Sequence, residues 1–360
     1  MVIEQYTIAT TPRYNFPNPT MDSTLPQRFI EQSIISLKQV QNRAFQLNQQ
    51  IIQQNDTSEM QTHGLSLNPR PIPLSPKRQA TTIAACDTST IQIGETSTGV
   101  LVAIRGANVW RQNKSYRYIR LGPFIFHLTV ESKSEVYNAL ERSCFGTSND
   151  GNRQNISIWQ MPMRIAGLLE RWLQSMLASM VSNGLILFDG SLTAGVGGVS
   201  TRGLKQILVR ASENNNIVLA FSKMTNLRAD GHIITDVPFE LRPPCLLETI
   251  GLKPKPPITL LGDVFVAKLT CEDYAFRLDI SKDLSLEQKV EAVEKLLGND
   301  VISQSYPETL RLAHILCTFT ANEVLAMQHF AVQKYGLKLV NRPDMHKLLF
   351  GPFGRGGVCS

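Results

Sequence analysis

The hydrophobic positions of the N-terminal region change their spacing along the chain. Residues 1–23 are rich in Thr, Pro and Asn and predict an irregular arm. From Leu25 to Gln54 apolar residues recur every three or four positions, which predicts a long amphipathic helix. The opposite face of this helix is largely Gln and Asn, so packing on the parent core and an oligomer interface are equal alternatives. Residues 55–77 are polar and Pro-rich and predict a linker.

The central part of the chain alternates between strand-like and helix-like patterns. Three β-branched, apolar segments, the first ending at Asp87, predict a meander of three antiparallel strands. A helix is expected over about residues 163–182. Short apolar strands then end at Asp189 and Lys223, with a helix over residues 203–213 between them. Consecutive strands followed by alternation indicate an α/β fold in which helices flank a mixed sheet.

The C-terminal part mixes irregular and regular segments. Residues 224–262 are punctuated by prolines and predict an insertion or lid. The segments VFVAKL and YAFRLDI predict a hairpin. Ser285 opens a helix with a Ser-x-x-Gln capping box. Pro307 is expected at the first position of one or two terminal helices.

These patterns divide the chain into three parts. The arm, the long helix and the linker occupy residues 1–77. The α/β domain is expected at residues 78–340, with a loop at 145–157 and the insertion at about 224–262. Residues 341–360 end in the glycine-rich GPFGRGG and predict a flexible tail.

Composition and charge narrow the function classes only slightly. The 360 residues include 36 Lys and Arg against 30 Asp and Glu, a net charge of +6. This excess of cations raises the odds of a polyanionic partner by about a factor of two. The 6 cysteines are far apart and form no CxxC pair, which favours reduced thiols in a cytoplasmic protein. No bilayer-length apolar stretch or secretory signal is present, so no membrane partner is expected.

Acidic residues stand at positions that packing does not explain. Asp87 and Asp189 each end a short apolar strand, and ligand sites in open α/β sheets lie beyond the carboxyl ends of strands. Two neighbouring carboxylates repel unless a cation joins them, and such oxygen ligands suit Mg²⁺ or Mn²⁺. The alternative is that both are strand-end turn residues. Glu170 lies beside the apolar stripe of its helix, so it faces this site or forms a solvated pair with Arg171.

The order of these acids resembles that of RNase H-like nucleases, which have an Asp on the first strand, a Glu on the first helix and an Asp ending the fourth strand. Within that superfamily, five segments resemble the NurA family, DNA nucleases that partner the HerA hexameric translocase. They are AACDTS, LLERWL, LILFDGSL, IVLAFSK and YPETLRLAH, spread over about residues 80–335. The resemblance implies an RNase H-like mixed sheet flanked by helices.

The resemblance also implies roles for individual residues. Asp87, Glu170 and Asp189 would bind Mn²⁺ or Mg²⁺ in a two-metal site, with His314 as a further ligand or proton donor. Lys223 would contact the scissile phosphate. By its own sequence context, His314 would equally suit a packed helix histidine. The first segment departs from the family pattern, because Thr follows its Asp where the family more often has Gly.

Three further residues are expected to contact nucleic acid. Tyr274 lies beside the predicted hairpin, which also carries Asp279 as an alternative contributor to the site. Arg117 and Arg120 interleave with tyrosines such as Tyr116, a pattern that can stack on bases and contact phosphates. The exposed face of an ordinary β-hairpin would show the same pattern.

The resulting hypothesis is a metal-dependent DNA nuclease. The family resemblance implies 5′-to-3′ exonuclease activity on single- and double-stranded DNA and endonuclease activity on single strands. It also implies a homodimer that works with a HerA-like hexameric ATPase in resection of double-strand breaks. A non-catalytic nucleic-acid-binding module and an RNA-directed nuclease on the same fold are the alternatives.

Overall fold

A computed structural model describes residues 25–38, 65–145, 156–195, 200–229, 231–236, 241–254 and 256–340. The helices in these ranges are α1 (Leu25–Lys38), α2 (Lys133–Phe145), α3 (Met161–Met180), α4 (Thr201–Glu213), α5 (Leu286–Asn299), α6 (Glu308–Cys317) and α7 (Ala321–Tyr335). The strands are β1 (Ser66–Leu67), β2 (Ile72–Pro73), β3 (Ile83–Glu95), β4 (Gly99–Gln112), β5 (Ser115–Thr129), β6 (Leu185–Asp189), β7 (Thr193–Ala194), β8 (Ile217–Ser222), β9 (Arg228–Ala229), β10 (His232–Ile233), β11 (Cys245–Ile250), β12 (Thr259–Leu260), β13 (Gly262–Lys268), β14 (Phe276–Ser281), β15 (Ile302–Ser303) and β16 (Tyr306–Pro307).

Ten strands form one mixed sheet in the order β1-β11-β13-β14-β8-β6-β3-β4-β5, with β2 also pairing with β11. The strands β3, β4 and β5 form the expected antiparallel meander, and β6 runs parallel to both β3 and β8. The predicted hairpin of β13 and β14 then continues the sheet antiparallel to β8. The order β5-β4-β3-β6-β8, with these directions, is that of an RNase H-like fold, and it confirms the predicted fold class.

The sheet, with β3 near its centre, separates two layers of helices. Because side chains alternate along a strand, Ala84 and Cys86 face one layer while Ile83 and Ala85 face the other. The first layer packs residues of α1, α2, α3 and α4 into one apolar cluster. The second layer packs residues of α5 and α6 against the opposite face. Gly106 of β4 lets α3 approach closely, since an added Cβ would lie 2.7 Å from Leu173 Cδ1.

The pairing of β3 with β6 is short. Strand β3 continues to Glu95, so the prediction that the first strand ends at Asp87 is wrong and Asp87 lies within the strand. Its pairing with β6 runs only from Ile83 opposite Leu185 to Cys86 opposite Phe188. Beyond this last pair, the two strands no longer pair with each other. We call the gap between Asp87 of β3 and Asp189 at the end of β6 the notch. Beyond the notch no strand of the described residues pairs with this edge of β3.

The structure differs from the sequence predictions in several places. Residues 65–77, expected as linker, contribute β1 and β2 to the sheet. Part of the expected insertion at 224–262 is strand β11, which is an integral strand of the sheet. Pro307 is the N-cap of α6, one position before the predicted site, because its own φ and ψ are extended. The Ser285 capping box is confirmed.

Several predictions concern residues outside the described ranges. These are the N-terminal arm, the part of the long helix after Lys38, most of the loop at 145–157 and the tail at 341–360. Among the helices that the structure describes, none combines the length and hydropathy that a bilayer span requires.

Candidate active site

Asp87 and Asp189 lie side by side at the notch. Phe188 pairs with Cys86 in the parallel ladder, so the next residue on each strand is one of the two aspartates. Asp87 is 7% exposed, and its backbone neighbour Thr88 donates its N–H to Oδ1 over 2.7 Å. Burial raises the pKa of Asp87, and the negative charge of Asp189 raises it further. The two carboxylates therefore form an electrostatically unfavourable pair that a cation would stabilise.

His314 reaches Asp87 from α6. Its Nδ1 lies 2.7 Å from Asp87 Oδ2, and its side chain is 49% exposed. This geometry fits an Nδ1–H that donates to the carboxylate, which leaves the Nε2 lone pair on the accessible side of the ring. The half-exposed, hydrogen-bonded ring is unlike the packed helix histidine that the sequence also allowed.

Cys317 is a site neighbour to which the sequence interpretation gave no role. Donor atoms of Asp87, His314 and Cys317 all lie within 4.8 Å of one another. Burial and the charge of Asp87 raise the pKa of the Cys317 thiol, so it stays protonated, and Sγ donates to the His314 carbonyl over 3.1 Å. Its spacing from His314, three positions on a helix, was the only signal available.

Glu170 approaches from the α3 side of the sheet. Gln174 Nε2 donates to Glu170 Oε1 over 2.9 Å, and Arg171 Nη1 donates to Gln174 Oε1 over 2.6 Å. Arg171 thus bonds to Gln174, which is 1% exposed. Burial raises the pKa of Glu170 to about 7, and Asp87 and Asp189 raise it while Arg171 opposes them. Glu170 is therefore within electrostatic reach of both aspartates.

Lys223 and Tyr306 complete the surroundings of Asp189. Lys223 Nζ lies 2.6 Å from Asp189 Oδ2 and 5.8 Å from the centre of the Tyr306 ring. Tyr306 belongs to the segment YPETLRLAH, but no role was predicted for it. Its buried hydroxyl has no hydrogen-bond partner among the described residues. Burial and the charges of Asp189 and Asp87 raise the pKa of Tyr306 well above its ordinary value.

Asp279 lies behind the site instead of facing it. It is fully buried, and Arg277 donates to both of its oxygens over 2.7 Å. Asp279 Oδ2 also accepts the backbone N–H of Leu192 over 2.9 Å. Because Leu192 follows Asp189 by three residues, this buried ion pair holds the loop that leaves the site.

The other predicted nucleic-acid contacts lie on different elements. Tyr274 is 53% exposed between β13 and β14. Arg117 is partly buried on β5, and Arg120 on the same strand lies 3.4 Å from Glu323 Oε1. Tyr116 donates its hydroxyl to Asp300 over 2.8 Å, so it is engaged within the chain. The structure brings together Asp87, Glu170, Asp189, Lys223 and His314. It places Tyr274, Arg117, Arg120 and Tyr116 outside this cluster.

The clustered side chains fit a hard divalent cation. Carboxylate oxygens of Asp87, Asp189 and Glu170 are the ligands that Mg²⁺ and Mn²⁺ prefer, and an imidazole suits Mn²⁺ as well. The raised pKa values of Asp87 and Glu170 come from burial and mutual repulsion, both of which a bound cation offsets. Within this group the His314 imidazole is a borderline donor and the Cys317 thiol is a soft one.

Comparison with known proteins adds distant likenesses only. No protein-family model matches the sequence, and no curated protein matches it. Similar solved structures include Endonuclease V from Bacillus subtilis, at 13% identity over 73% of this chain and 88% of that chain, with a TM-score of 0.35. The C-terminal lobe of a budding yeast Argonaute matches at 10% identity over 72% of this chain and 51% of that chain, with a TM-score of 0.25. Kluyveromyces polysporus Argonaute with a guide RNA matches at 9% identity over 71% of this chain and 27% of that chain, with a TM-score of 0.20. The fold assignment rests on the strand order of the sheet, and the functional interpretation rests on the geometry of the site.

Proposed function

We propose that this protein is a divalent-metal-dependent nuclease that hydrolyses phosphodiester bonds in DNA. The observation that carries the proposal is the pair of aspartates at the notch, one bonded to His314 and the other to Lys223. A cation-binding pair with a histidine on one side and a lysine on the other provides the groups that phosphodiester hydrolysis needs.

Each residue has a distinct role in this proposal. Asp87, Asp189 and Glu170 would hold Mg²⁺ or Mn²⁺, which when bound polarises the scissile phosphate and lowers the pKa of water. His314, oriented by Asp87 through Nδ1, would take the proton of the attacking water at Nε2 as the new P–O bond forms. The bond from phosphorus to the leaving oxygen then breaks, and that oxygen takes up a proton. Lys223 would offset the charge on the phosphate.

Digestion of end-labelled DNA with Mn²⁺ tests the proposal. The Asp189→Ala and Asp87→Asn variants should cut at least about 10²-fold more slowly than the wild type, a loss typical of removing one essential electrostatic contributor. Their affinity for uncut DNA, measured by fluorescence anisotropy in EDTA, should not be weaker than that of the wild type. The exposed Asp283, replaced by Ala, is the matched control and should cut normally. A wild type that cuts nothing, or an Asp189→Ala variant of full activity, contradicts the proposal.

Within this class we propose a NurA-like activity, with a HerA-like hexameric ATPase as partner, a homodimer as the assembly and end resection as the process. The support is that each of the five resembling segments carries one of the clustered residues. In the order AACDTS, LLERWL, LILFDGSL, IVLAFSK and YPETLRLAH, they contain Asp87, Glu170, Asp189, Lys223 and His314. Digestion of matched DNA and RNA substrates, with and without such a translocase, tests the substrate and the partner. Faster cleavage of RNA would favour the RNA-directed alternative.

A catalytically silent nucleic-acid-binding module is the second candidate. One observation favours it, because the Lys223 ammonium already neutralises Asp189 over 2.6 Å. In that case a fixed cation would replace the metal. Calorimetric titration with Mn²⁺ separates the two, since the silent module predicts no heat of binding in the wild type and new binding in a Lys223→Ala variant.

A further inference from the structure

A basic groove of about 580 Å³ lies between α2, α3 and α4, away from the aspartates. Phe145 ends α2 on one side of it, and Ser175 of α3 forms part of its lining. Arg202, Lys205 and Arg210 line it from α4, whereas Glu213 is the single acidic residue among the residues that line it. The groove is therefore a cationic depression on the outer surface of the helical layer.

The cations of the groove are available to a ligand. Arg202, Lys205 and Arg210 are all exposed. Among the described residues, Arg210 donates to Ser175 Oγ over 3.1 Å, and no ion pair forms at Arg202 or Lys205. The Phe145 ring is 38% exposed beside them. An aromatic ring next to unpaired cations is the combination with which proteins stack bases and contact phosphates of single strands.

The groove points toward the candidate active site. The carboxyl end of α4 lies at the amino ends of the central strands, because the Asn183 N–H donates to the Asn214 carbonyl and Ile217 pairs with Leu185. The 13 residues of α4 run back along those strands, so its first turn lies toward the edge at which Asp189 ends β6. Arg202 is thus at the active-site end of the groove, and Arg210 lies about 12 Å further along the helix axis.

We propose that this groove binds the sugar–phosphate backbone of single-stranded nucleic acid and directs the strand toward Asp189. Three cations spread over about two helical turns match a polymer with repeated charges better than a single small anion. The ring of Phe145 gives a base a face on which to stack. The proposal rests on the nuclease function, since it concerns how that substrate reaches the site.

Binding of a labelled single-stranded oligonucleotide, followed by fluorescence anisotropy in EDTA, tests the groove without cleavage. The Arg202→Glu/Lys205→Glu variant of the full chain should bind at least 10-fold more weakly at low salt. Because each lost phosphate contact removes about 0.7 from the slope of log K against log salt, the slope should become shallower by about 1.4. Glutamate near the start of α4 favours the helix dipole, so the variant should fold.

Two further variants distinguish the groove from net charge. Lys253→Glu/Lys338→Glu makes the same charge change at exposed positions on other segments and should weaken binding less than 3-fold. Phe145→Ala should weaken binding to single strands several-fold while leaving the salt slope unchanged, because stacking releases no counterions.

Each outcome decides the inference. Equal losses in the two charge-reversal variants would show that net charge alone matters and would overturn it, as would unchanged binding in Arg202→Glu/Lys205→Glu. Displacement of the oligonucleotide by polyglutamate at equal charge concentration would also overturn it, since the groove would then bind any polyanion. Wild-type protein that binds through the groove yet cuts no DNA would contradict the proposed function and leave this inference standing.

Discussion

Glu170 and the two aspartates at the notch show how burial and repulsion act on single carboxyl groups. Glu170 carries a pKa near 7 because its carboxyl group is largely shielded from water in a half-buried position and because Asp87 and Asp189 stand within electrostatic range. Its hydrogen bond from Gln174 reduces this penalty without removing it. Such a carboxyl group changes its protonation near neutral pH.

The raised pKa of Glu170 predicts how the metal-free protein depends on pH. A carboxyl group whose folded pKa exceeds its unfolded value contributes its stability below about pH 4.5 and loses it as pH rises through about 7. Glu170→Gln removes this loss. At pH 8 in EDTA, the free energy of unfolding of the variant should therefore exceed that of the wild type by on the order of a few kcal/mol. At pH 4.5 the two should be similar. Urea denaturation at the two pH values measures the difference, and an equal gain at both would show that the charge of Glu170 is not responsible.

At the scale of elements, Arg105 of β4 fixes the position of α6. The guanidinium is 3% exposed, donates to the Thr318 carbonyl over 2.8 Å and to Glu323 Oε1 over 2.7 Å, and lies 4.4 Å from the Phe319 ring centre. It therefore ties down the end of the helix that presents His314. Arg120 contacts the same Glu323 from a half-exposed position, over 3.4 Å.

These two arginines give a matched pair of stability predictions. Arg105→Met should lower the free energy of unfolding by about 2–4 kcal/mol, because it leaves buried groups without their charged partner. Arg120→Met should cost less than about 1 kcal/mol, as exposed ion pairs do. Urea denaturation at pH 7 measures both, and equal costs would show that burial does not distinguish them.

The pH dependence of Arg105→Met follows from Glu323. Burial alone would raise the pKa of Glu323, but the hydrogen bonds from Arg105 and Thr320 lower it to about 2. This stabilisation is present above about pH 4.5 and is lost as pH falls through about 2. The difference in free energy of unfolding between the wild type and Arg105→Met should therefore become smaller in acid.

Elements with a strong hydrophobic periodicity could be predicted from the sequence. A weakly amphipathic helix and strand pairings between distant segments could not. The run around Trp172 showed α3 clearly because apolar residues line one face. Helix α2 was missed because only Val136, Tyr137 and Leu140 of its apolar positions are buried. The pairing of β1 and β2 with β11 joins segments about 180 residues apart, which no local pattern reveals.

At the site too, sequence patterns predicted backbone positions but not the partners of individual side chains. The end of a short apolar strand correctly predicted the position of Asp189. The same pattern placed Asp87 next to it, but Asp87 lies within β3 and not at its end, because the polar residues after Asp87 continue the strand. The bond from Lys223 to Asp189 and the proximity of Cys317 to Asp87 depend on rotamers and on the docking of α6. Sequence patterns do not encode either.

At the scale of the whole molecule, metal binding should be coupled to unfolding. A ligand that binds only the folded chain at 100 times its dissociation constant stabilises it by about 2.7 kcal/mol. Mn²⁺ should therefore raise the melting temperature of the wild type and EDTA should reverse the rise. Asp87→Asn should show a much smaller shift. Differential scanning calorimetry measures this, and an identical shift in the Asp87→Asn variant would place the metal elsewhere.

The hydrogen bond between Asp87 and His314 joins residues 227 positions apart. During synthesis a chain emerges from its amino terminus, so the acidic residues leave the ribosome long before α6 does. The cluster of side chains at the notch is therefore incomplete until α6 has been made and has packed on the sheet. Under the proposed function, chains that end before α6 would retain Asp87, Glu170 and Asp189 but lack His314, so they should cut DNA much more slowly than the full chain.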